Sequence, residues 1–191
     1  MFPMLWRFFP TLDHQVDYFL SRYQMKSVKI LKILFRDLDS KMIAREAAAV
    51  SEFVESGAAI HAMRDHPKHK RPLMGCSWGA SLVSGEVRNM WVTAWERMMR
   101  DDLIQTPHTG YQADQTLLTQ YVWPWGRNIS LQHDSYLCNQ FPGSISFPTE
   151  RKDEDFNFVG ARAFTNSPLR KIRVWEVCPE ECRRNKEWEH C

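Results

Sequence analysis

The apolar positions along this chain follow two different periods. Short apolar runs typical of strands lie at 58–63 (AAIHAM), near 130–137 (SLQHDSYL) and at 171–177 (KIRVWEV). The stretches between them carry apolar residues at helical spacing. Because strands that alternate with helices pack as layers, the pattern predicts an α/β fold.

The clearest helix is predicted between Ser40 and Gly57. Ser40 is a good N-cap, because its hydroxyl can accept a hydrogen bond from a free N–H of the first turn, and Gly57 supplies the stop. The residues expected on the inner face recur at i, i+4, i+7 and i+11: Ile43, Ala47, Val50 and Val54.

Two more helices are predicted further along the chain. The third helix begins at Asp114, which can cap QTLLTQYV, and Pro124 is expected to end it. The second helix covers 85–100, and its inner face is predicted to carry Val87, Trp91, Ala94 and Met98.

Two apolar segments precede the first helix. VDYFLSR at 16–22 predicts a strand, and VKILKILFR at 28–36 predicts either a strand or a short basic helix. The second segment leads directly into Asp37 and Asp39, with Ser40 behind them. Two carboxylates spaced i, i+2 at such a turn can reach one hard divalent cation, although a charged turn explains the same residues.

Length, charge and the length of the apolar runs limit the number of domains and the kinds of partner that are expected. The 191 residues are enough for a single domain with a sizeable core. A net charge of +2 gives no strongly basic face, so no nucleic-acid partner is predicted. No apolar run reaches the roughly 18 residues that a membrane helix needs, so no membrane segment is predicted.

The cysteine pattern does not decide in which cellular compartment the protein folds. Three of the five lie in the last fourteen residues and can form a disulfide in an oxidising lumen, and NIS at 128–130 fits a glycosylation sequon. The start of the chain has no signal-peptide pattern. A secretory lumen is expected if the full-length protein carries a signal, and the cytoplasm otherwise.

Several short motifs together resemble glycosyltransferases of the nucleotide-diphospho-sugar class, which have the GT-A fold. In order along the chain, they are RDLDS (36–40), RE (45–46), HAMRDHPKH (61–69), MGCSWGA (74–80), DQTLL (114–118) and QHDSYLC (132–138). Their order is similar to that of an uncharacterised glycosyltransferase-like family and, more remotely, to glycogenin-type enzymes. The resemblance covers about residues 36 to 160 and implies a partial GT-A-like fold with a mixed sheet flanked by helices.

The resemblance implies a metal site and a sugar pocket. Asp37, Asp39 and His133 would bind Mn²⁺ (or Mg²⁺), a set of two hard oxygens and one imidazole that suits Mn²⁺ better. Asp114 and Gln115 match the "DQ" that lines the sugar pocket in glycogenin-like enzymes, whereas a helix cap would explain Asp114 alone.

Asp65 and four other residues are expected to serve catalysis or substrate binding. Asp65, like Asp114, is a carboxylate that can stabilise an electron-poor anomeric carbon. Arg64 can bind a phosphate or pair with Asp65 in a surface salt bridge. Trp78 offers a stacking wall for a sugar, and a tight packed turn would use the same residues. The others are Gly79, which lets backbone approach a ligand, and Arg45, which can face the diphosphate or solvent.

The chain departs from complete enzymes of this class before the D-x-D motif. In those enzymes a nucleotide-binding β/α half precedes the motif, whereas only 36 residues precede it here. The resemblance therefore implies a single domain over 1–191 that is truncated at its N-terminus, with an insertion at 23–36.

The leading hypothesis is a metal-dependent glycosyltransferase-like protein. It would use a nucleotide-sugar donor and an unknown glycan or protein acceptor, and this chain alone is expected to have little activity. The alternatives are a non-catalytic module that binds a glycan or a partner and, third, a divalent-metal phosphohydrolase.

Overall fold

The computed structural model describes residues 32–37, 40–104, 112–151, 157–161, 174 and 176–191. Over these residues the strands are β1 (Lys32–Arg36), β2 (Ile60–Arg64), β3 (Ser77–Ser81) and β4 (Ser130–Asp134). The helices are α1 (Ala44–Ser56), α2 (Gly85–Ile104), α3 (Ala113–Leu117) and α4 (Trp123–Gly126). A π-helical turn (Leu118–Val122) joins α3 to α4, and 3-10 turns cover Arg127–Ile129 and Glu180–Cys182.

The strands form one mixed sheet in the order β1-β3-β2-β4. β3 is antiparallel to both β1 and β2, and β2 is parallel to β4. Trp78 of β3 lies between Phe35 and Ala62, its partners on the two neighbouring strands. The expectation of an α/β fold with a mixed sheet flanked by helices is therefore confirmed.

The strand directions gather four chain segments at one edge of the sheet. β1, β2 and β4 run the same way, so their carboxyl ends meet the amino end of β3. We call this the carboxyl edge. Open α/β sheets usually bind ligands outside the carboxyl ends of their strands.

The two faces of the sheet are covered by different helices. α2 and the 113–126 segment pack on the face that carries Phe35, Ala62 and Trp78, and they bury the larger hydrophobic core there. α1 packs on the other face, where the Phe53 ring stacks on His61 at 4.8 Å between centroids. Side chains alternate between these faces along each strand.

The first helix differs from its prediction at its start. It begins at Ala44 rather than after Ser40, and Ile43 occupies the N-cap position without a side-chain cap. The Ser40 hydroxyl is buried and has no hydrogen-bond partner among the described residues. The predicted stop is confirmed, because Gly57 has a left-handed φ of 69°, which glycine adopts without strain.

The buried face of α1 is the predicted one only in part: Ile43 is buried and Val50 packs partly against the smaller core. Ala47 and Val54 are exposed, whereas the buried residues are Arg45, Glu46, Ala49 and Phe53. Two of these are charged because the sheet and the loops below α1 offer ionic partners, so apolar periodicity does not mark this face.

The second helix is confirmed, and the third is confirmed only in part. In α2, Trp91, Ala94 and Met98 are buried as predicted and Val87 packs partly against them. Pro124 does not end the third helix, because the π-helical turn lets Trp123 N–H bond to Leu118 O and places Pro124 in the first turn of α4.

Three of the remaining predicted strands are found in the structure, at least over their described residues. The 28–36 segment is a strand over its described residues, so the last five residues of the proposed insertion at 23–36 form β1. The predicted strands at 58–63 and near 130–137 are β2 and β4. The strand at 16–22 lies outside the described residues, and of 171–177 the described residues Val174, Glu176 and Val177 are not in a strand.

Two disulfides hold the C-terminal segment 176–191: one attaches it to the domain, and the other closes a loop within the segment. Cys138 after β4 is bonded to Cys182, and Cys178 is bonded to Cys191. Cys76 is the unpaired cysteine. Within the described ranges, we find no helix that is both long and apolar enough to cross a bilayer.

Candidate functional site

The candidate site lies around Cys76 at the carboxyl edge, where the cysteine is partly exposed. Asp37 follows β1, Cys76 precedes β3, and Asp114 lies in α3. Burial, together with the negative charges of Asp37 and Asp114, raises the pKa of the Cys76 thiol to about 11. The fold therefore places two predicted site carboxylates that are far apart in the sequence close enough to Cys76 for both charges to act on its thiol.

Gly75 determines how closely the loop before β3 approaches α3. A Cβ atom at this position would lie 2.4 Å from Asp114 Oδ2, well inside van der Waals contact. The glycine therefore lets the backbone pass directly beside the carboxylate. A larger residue here would force the Asp114 carboxylate to move.

Asp114 and Gln115 form a small polar unit at the start of α3. Asp114 is almost fully buried, and its Oδ1 accepts the backbone N–H of Gln115 at 2.8 Å. It is not the N-cap that the sequence predicted, because Gln112 holds that position. The Gln115 Oε1 atom is buried without a hydrogen-bond partner among the described residues.

The turn that carries the D-x-D motif is described only in part. Asp37 is described, and its carbonyl oxygen accepts the N–H of Ser40 at 3.1 Å, which closes a turn after β1. Asp39 lies outside the described residues.

His133 is placed away from Asp37. It belongs to β4, whereas Asp37 follows β1, and these are the two outer strands of the sheet, about 14 Å apart at the usual strand spacing. His133 also contacts His61 on the α1 face, while alternation from Phe35 directs Asp37 toward the other face. The structure therefore does not bring the predicted third ligand to the D-x-D turn.

Both ring nitrogens of His133 already have protein partners. Nδ1 lies 2.9 Å from His61 Nε2, and Nε2 lies 2.8 Å from Glu52 Oε2. Burial lowers the pKa of His133, and the Glu52 carboxylate opposes that shift only in part. In the described portion of the chain, no three His, Cys, Asp or Glu side chains are close enough together to hold a metal ion.

Asp65 lies at the centre of a buried ionic network below the carboxyl edge. Its carboxylate accepts hydrogen bonds from Arg45 Nε (3.1 Å), Arg151 Nη2 (2.6 Å), Ser135 Oγ (2.6 Å) and Val159 N–H (3.0 Å). Burial alone raises the pKa of Asp65, but the two guanidiniums and the other donors lower it below its usual value. Asp65 and Arg45 are therefore paired with each other in the interior.

Arg64 forms a second buried ion pair. Nε lies 2.6 Å from Asp134 Oδ2, Nη2 donates to Gln132 Oε1 and Nη1 donates to Pro72 O. The guanidinium also lies 3.8 Å from the Phe141 ring centroid. These four contacts are all internal, and the predicted pair between Arg64 and Asp65 is replaced by separate buried pairs.

Trp78 and Gly79 lie inside strand β3 rather than in a loop. The Trp78 indole is fully buried, stacked between Phe35 at 4.0 Å and Trp91 at 5.4 Å between centroids. A Cβ atom on Gly79 would lie 3.2 Å from the Phe53 ring, so this glycine makes room for α1. Both residues serve the packing of the sheet.

Arg151 and Ser135 were not predicted from the sequence. Arg151 lies in the polar stretch FPTERKDED, where no periodicity or motif distinguishes it from a surface arginine. Ser135 was part of the QHDSYLC motif without a role of its own. Only the folded chain places both beside Asp65.

No protein-family profile, no curated protein and no solved structure matches this chain.

Proposed function

We propose that this protein is a metal-dependent glycosyltransferase-like protein that binds a nucleotide sugar at the carboxyl edge. The observation that carries the proposal is the convergence of Asp37 and Asp114 on Cys76. These residues belong to separate motifs of the resemblance, and both lie at the edge where ligands of α/β sheets usually bind.

The metal would be Mn²⁺ (or Mg²⁺), held by Asp37 and Asp39. Carboxylate oxygens suit both ions, and Asp37 follows the end of β1, so the donor chemistry fits. His133 does not fit, because both of its ring nitrogens are engaged on the other face. When bound, such a cation neutralises the charge of a leaving diphosphate.

The chain's own groups would orient the sugar. The Gln115 side chain, whose Oε1 is buried without a partner among the described residues, would turn toward the site to accept a sugar hydroxyl. The Asp114 carboxylate, whose position beside the loop depends on Gly75, can stabilise positive charge at the anomeric carbon. The buried Asp65 network would hold the loops after β2 and β4 in place.

A non-catalytic glycan-binding module is the second candidate. It is favoured by the burial of Arg45, Arg64 and Asp65, which were expected to serve substrate binding or catalysis and which instead pair internally. Such a module would bind a sugar through Asp114 and Gln115 without transferring it.

The decisive experiment is a calorimetric titration with Mn²⁺, followed by a uridine diphosphate sugar as the probe. Asp37→Asn should weaken Mn²⁺ binding by at least about 10-fold, since loss of even a supporting residue costs that much. Asp114→Asn should keep Mn²⁺ binding and weaken sugar binding. The matched control is Glu55→Gln, an exposed carboxylate on α1.

The outcomes separate the candidates. Unchanged Mn²⁺ affinity in Asp37→Asn would overturn the metal-dependent proposal. Sugar binding without transfer to any acceptor would favour the binding module. Release of the sugar to water alone would favour a hydrolase acting on phosphates.

A further inference from the structure

The single glycosylation sequon of the sequence lies at the surface. Asn128, Ile129 and Ser130 are the only N-x-S/T triplet in the chain with a residue other than proline in the middle. Asn128 is exposed in the 3-10 turn Arg127–Ile129, and Ile129 beside it is 38% exposed. The acceptor amide is therefore accessible on the folded protein.

Hydrogen bonds fix the backbone around the sequon, whereas the Asn128 side chain is exposed. The Ile129 carbonyl accepts the N–H of Ala59 at 2.9 Å, and Ser130 Oγ donates to Arg127 O at 2.9 Å. Neither bond involves the Asn128 side chain, so a group attached to it would break neither of them. The fold therefore tolerates a glycan at this position.

The cysteines point to an oxidising compartment independently of the sequon. Four of the five are paired in two disulfides, a pattern that reducing compartments disfavour. The fifth, Cys76, is the free cysteine. The chain is thus suited to folding under oxidising conditions.

We propose that Asn128 is an N-glycosylation site and that the chain folds in an oxidising lumen where the glycan is attached. The co-reactant is a lipid-linked diphospho-oligosaccharide. Asn128 Nδ2 forms a bond to the anomeric carbon of its first sugar, the bond from that carbon to the phosphate oxygen breaks, and the lipid diphosphate leaves. The amide proton passes to a base of the transferring enzyme.

The position of Asn128 keeps the glycan clear of the candidate site. The residue precedes β4, at the sheet edge opposite the carboxyl edge, about 17 Å away over the five residues of the strand. Asp37, Asp114 and Gln115 lie at the carboxyl edge. A glycan here would leave ligand access to them open.

The test translates the full chain behind a cleavable secretory leader with eukaryotic microsomes. Protease-protected chains should carry one glycan that peptide N-glycosidase removes. Asn128→Gln and Ser130→Ala should abolish it, while the matched variant Ser130→Thr should retain it because threonine preserves the sequon. Glycosylation precedes complete folding, so unstable variants remain informative.

A second measurement addresses the lumen itself. Chains recovered from the microsomes are denatured without reductant and alkylated, and one modified cysteine, Cys76, is expected. Protected chains without a glycan, in a reaction that glycosylates a control sequon protein, would overturn the modification site. Three or more alkylated cysteines would overturn folding in that lumen.

Discussion

Arg64 Nε donates to Asp134 Oδ2 across 2.6 Å, and both side chains are fully buried. The two residues are register partners at the carboxyl ends of the parallel strands β2 and β4. The ion pair thus fixes the relative position of the two loops that continue to Asp65 and Ser135. These loops support the carboxyl edge from below.

Asp134→Ala should lower the free energy of unfolding by about 3 to 5 kcal/mol, because it leaves the Arg64 guanidinium buried without its counter-charge. Urea denaturation measures the change, with the exposed Glu55→Ala as the matched control. A loss below about 1 kcal/mol, the usual value for an exposed pair, would show that the pair is not buried in solution.

Trp78→Ala should lower the free energy of unfolding by about 3 to 5 kcal/mol, because the indole fills the core between Phe35 and Trp91. Trp78→Phe should cost less, since it retains an aromatic ring. Thermal melting measures both, and Mn²⁺ titration should give the wild-type affinity. Normal melting with weakened sugar binding would instead restore the stacking role that the sequence suggested.

The sequence predicted the buried face of a helix most accurately where that face is made of apolar residues. In α2, Trp91, Ala94 and Met98 recur at helical spacing because a hydrophobic core covers that face, so periodicity locates it. On α1 the buried face includes Arg45, whose partner Asp65 is 20 residues away. The sequence does not show which distant residue a charged side chain pairs with, so the charged part of this face was not predicted.

In the candidate site too, the residues of local motifs were predicted, whereas positions that depend on long-range pairing were not. Asp37 and Asp114 belong to motifs that could be read locally, and the fold brings them together. The place of His133 depends on the strand order, which puts β4 and β1 at opposite sides of the sheet. Strand order is set by long-range pairing, which short motifs do not encode.

The free energy of unfolding should fall as the pH is lowered from about 7. Burial lowers the pKa of His61 and His133, and burial with the charge of His66 lowers that of His69 to about 3. In the unfolded chain histidines titrate near pH 6.5, so below about that pH the unfolded state binds more protons. The contribution of His69 is therefore lost progressively between about pH 6.5 and pH 3.

The pH prediction is checked by urea denaturation at intervals between pH 7.5 and pH 5. His69→Asn should flatten the profile, because the neutral His69 Nδ1 accepts the N–H of Asp65 and an amide oxygen can replace it without titrating. Equal stability across this range in the wild type would contradict the buried, neutral histidines.

Removing the disulfide between Cys138 and Cys182 should cost about 4 kcal/mol, the chain-entropy value for a loop of 44 residues. The double variant Cys138→Ala/Cys182→Ala is compared with Cys178→Ala/Cys191→Ala, whose loop of 13 residues predicts about 3 kcal/mol. Denaturation without reductant measures both. A wild type whose midpoint is unaffected by reductant would contradict a structural role for these bonds.

The partners of Asp65 bear on how the protein is made. Val159, which donates to the carboxylate, is 94 residues further along the chain. At ribosomal rates of about 5 to 20 residues per second, Val159 is synthesised about 5 to 20 s after Asp65. The first half of the chain therefore cannot complete its own interior during synthesis, and a nascent chain that stops before residue 159 keeps an incompletely paired charge where the core should close.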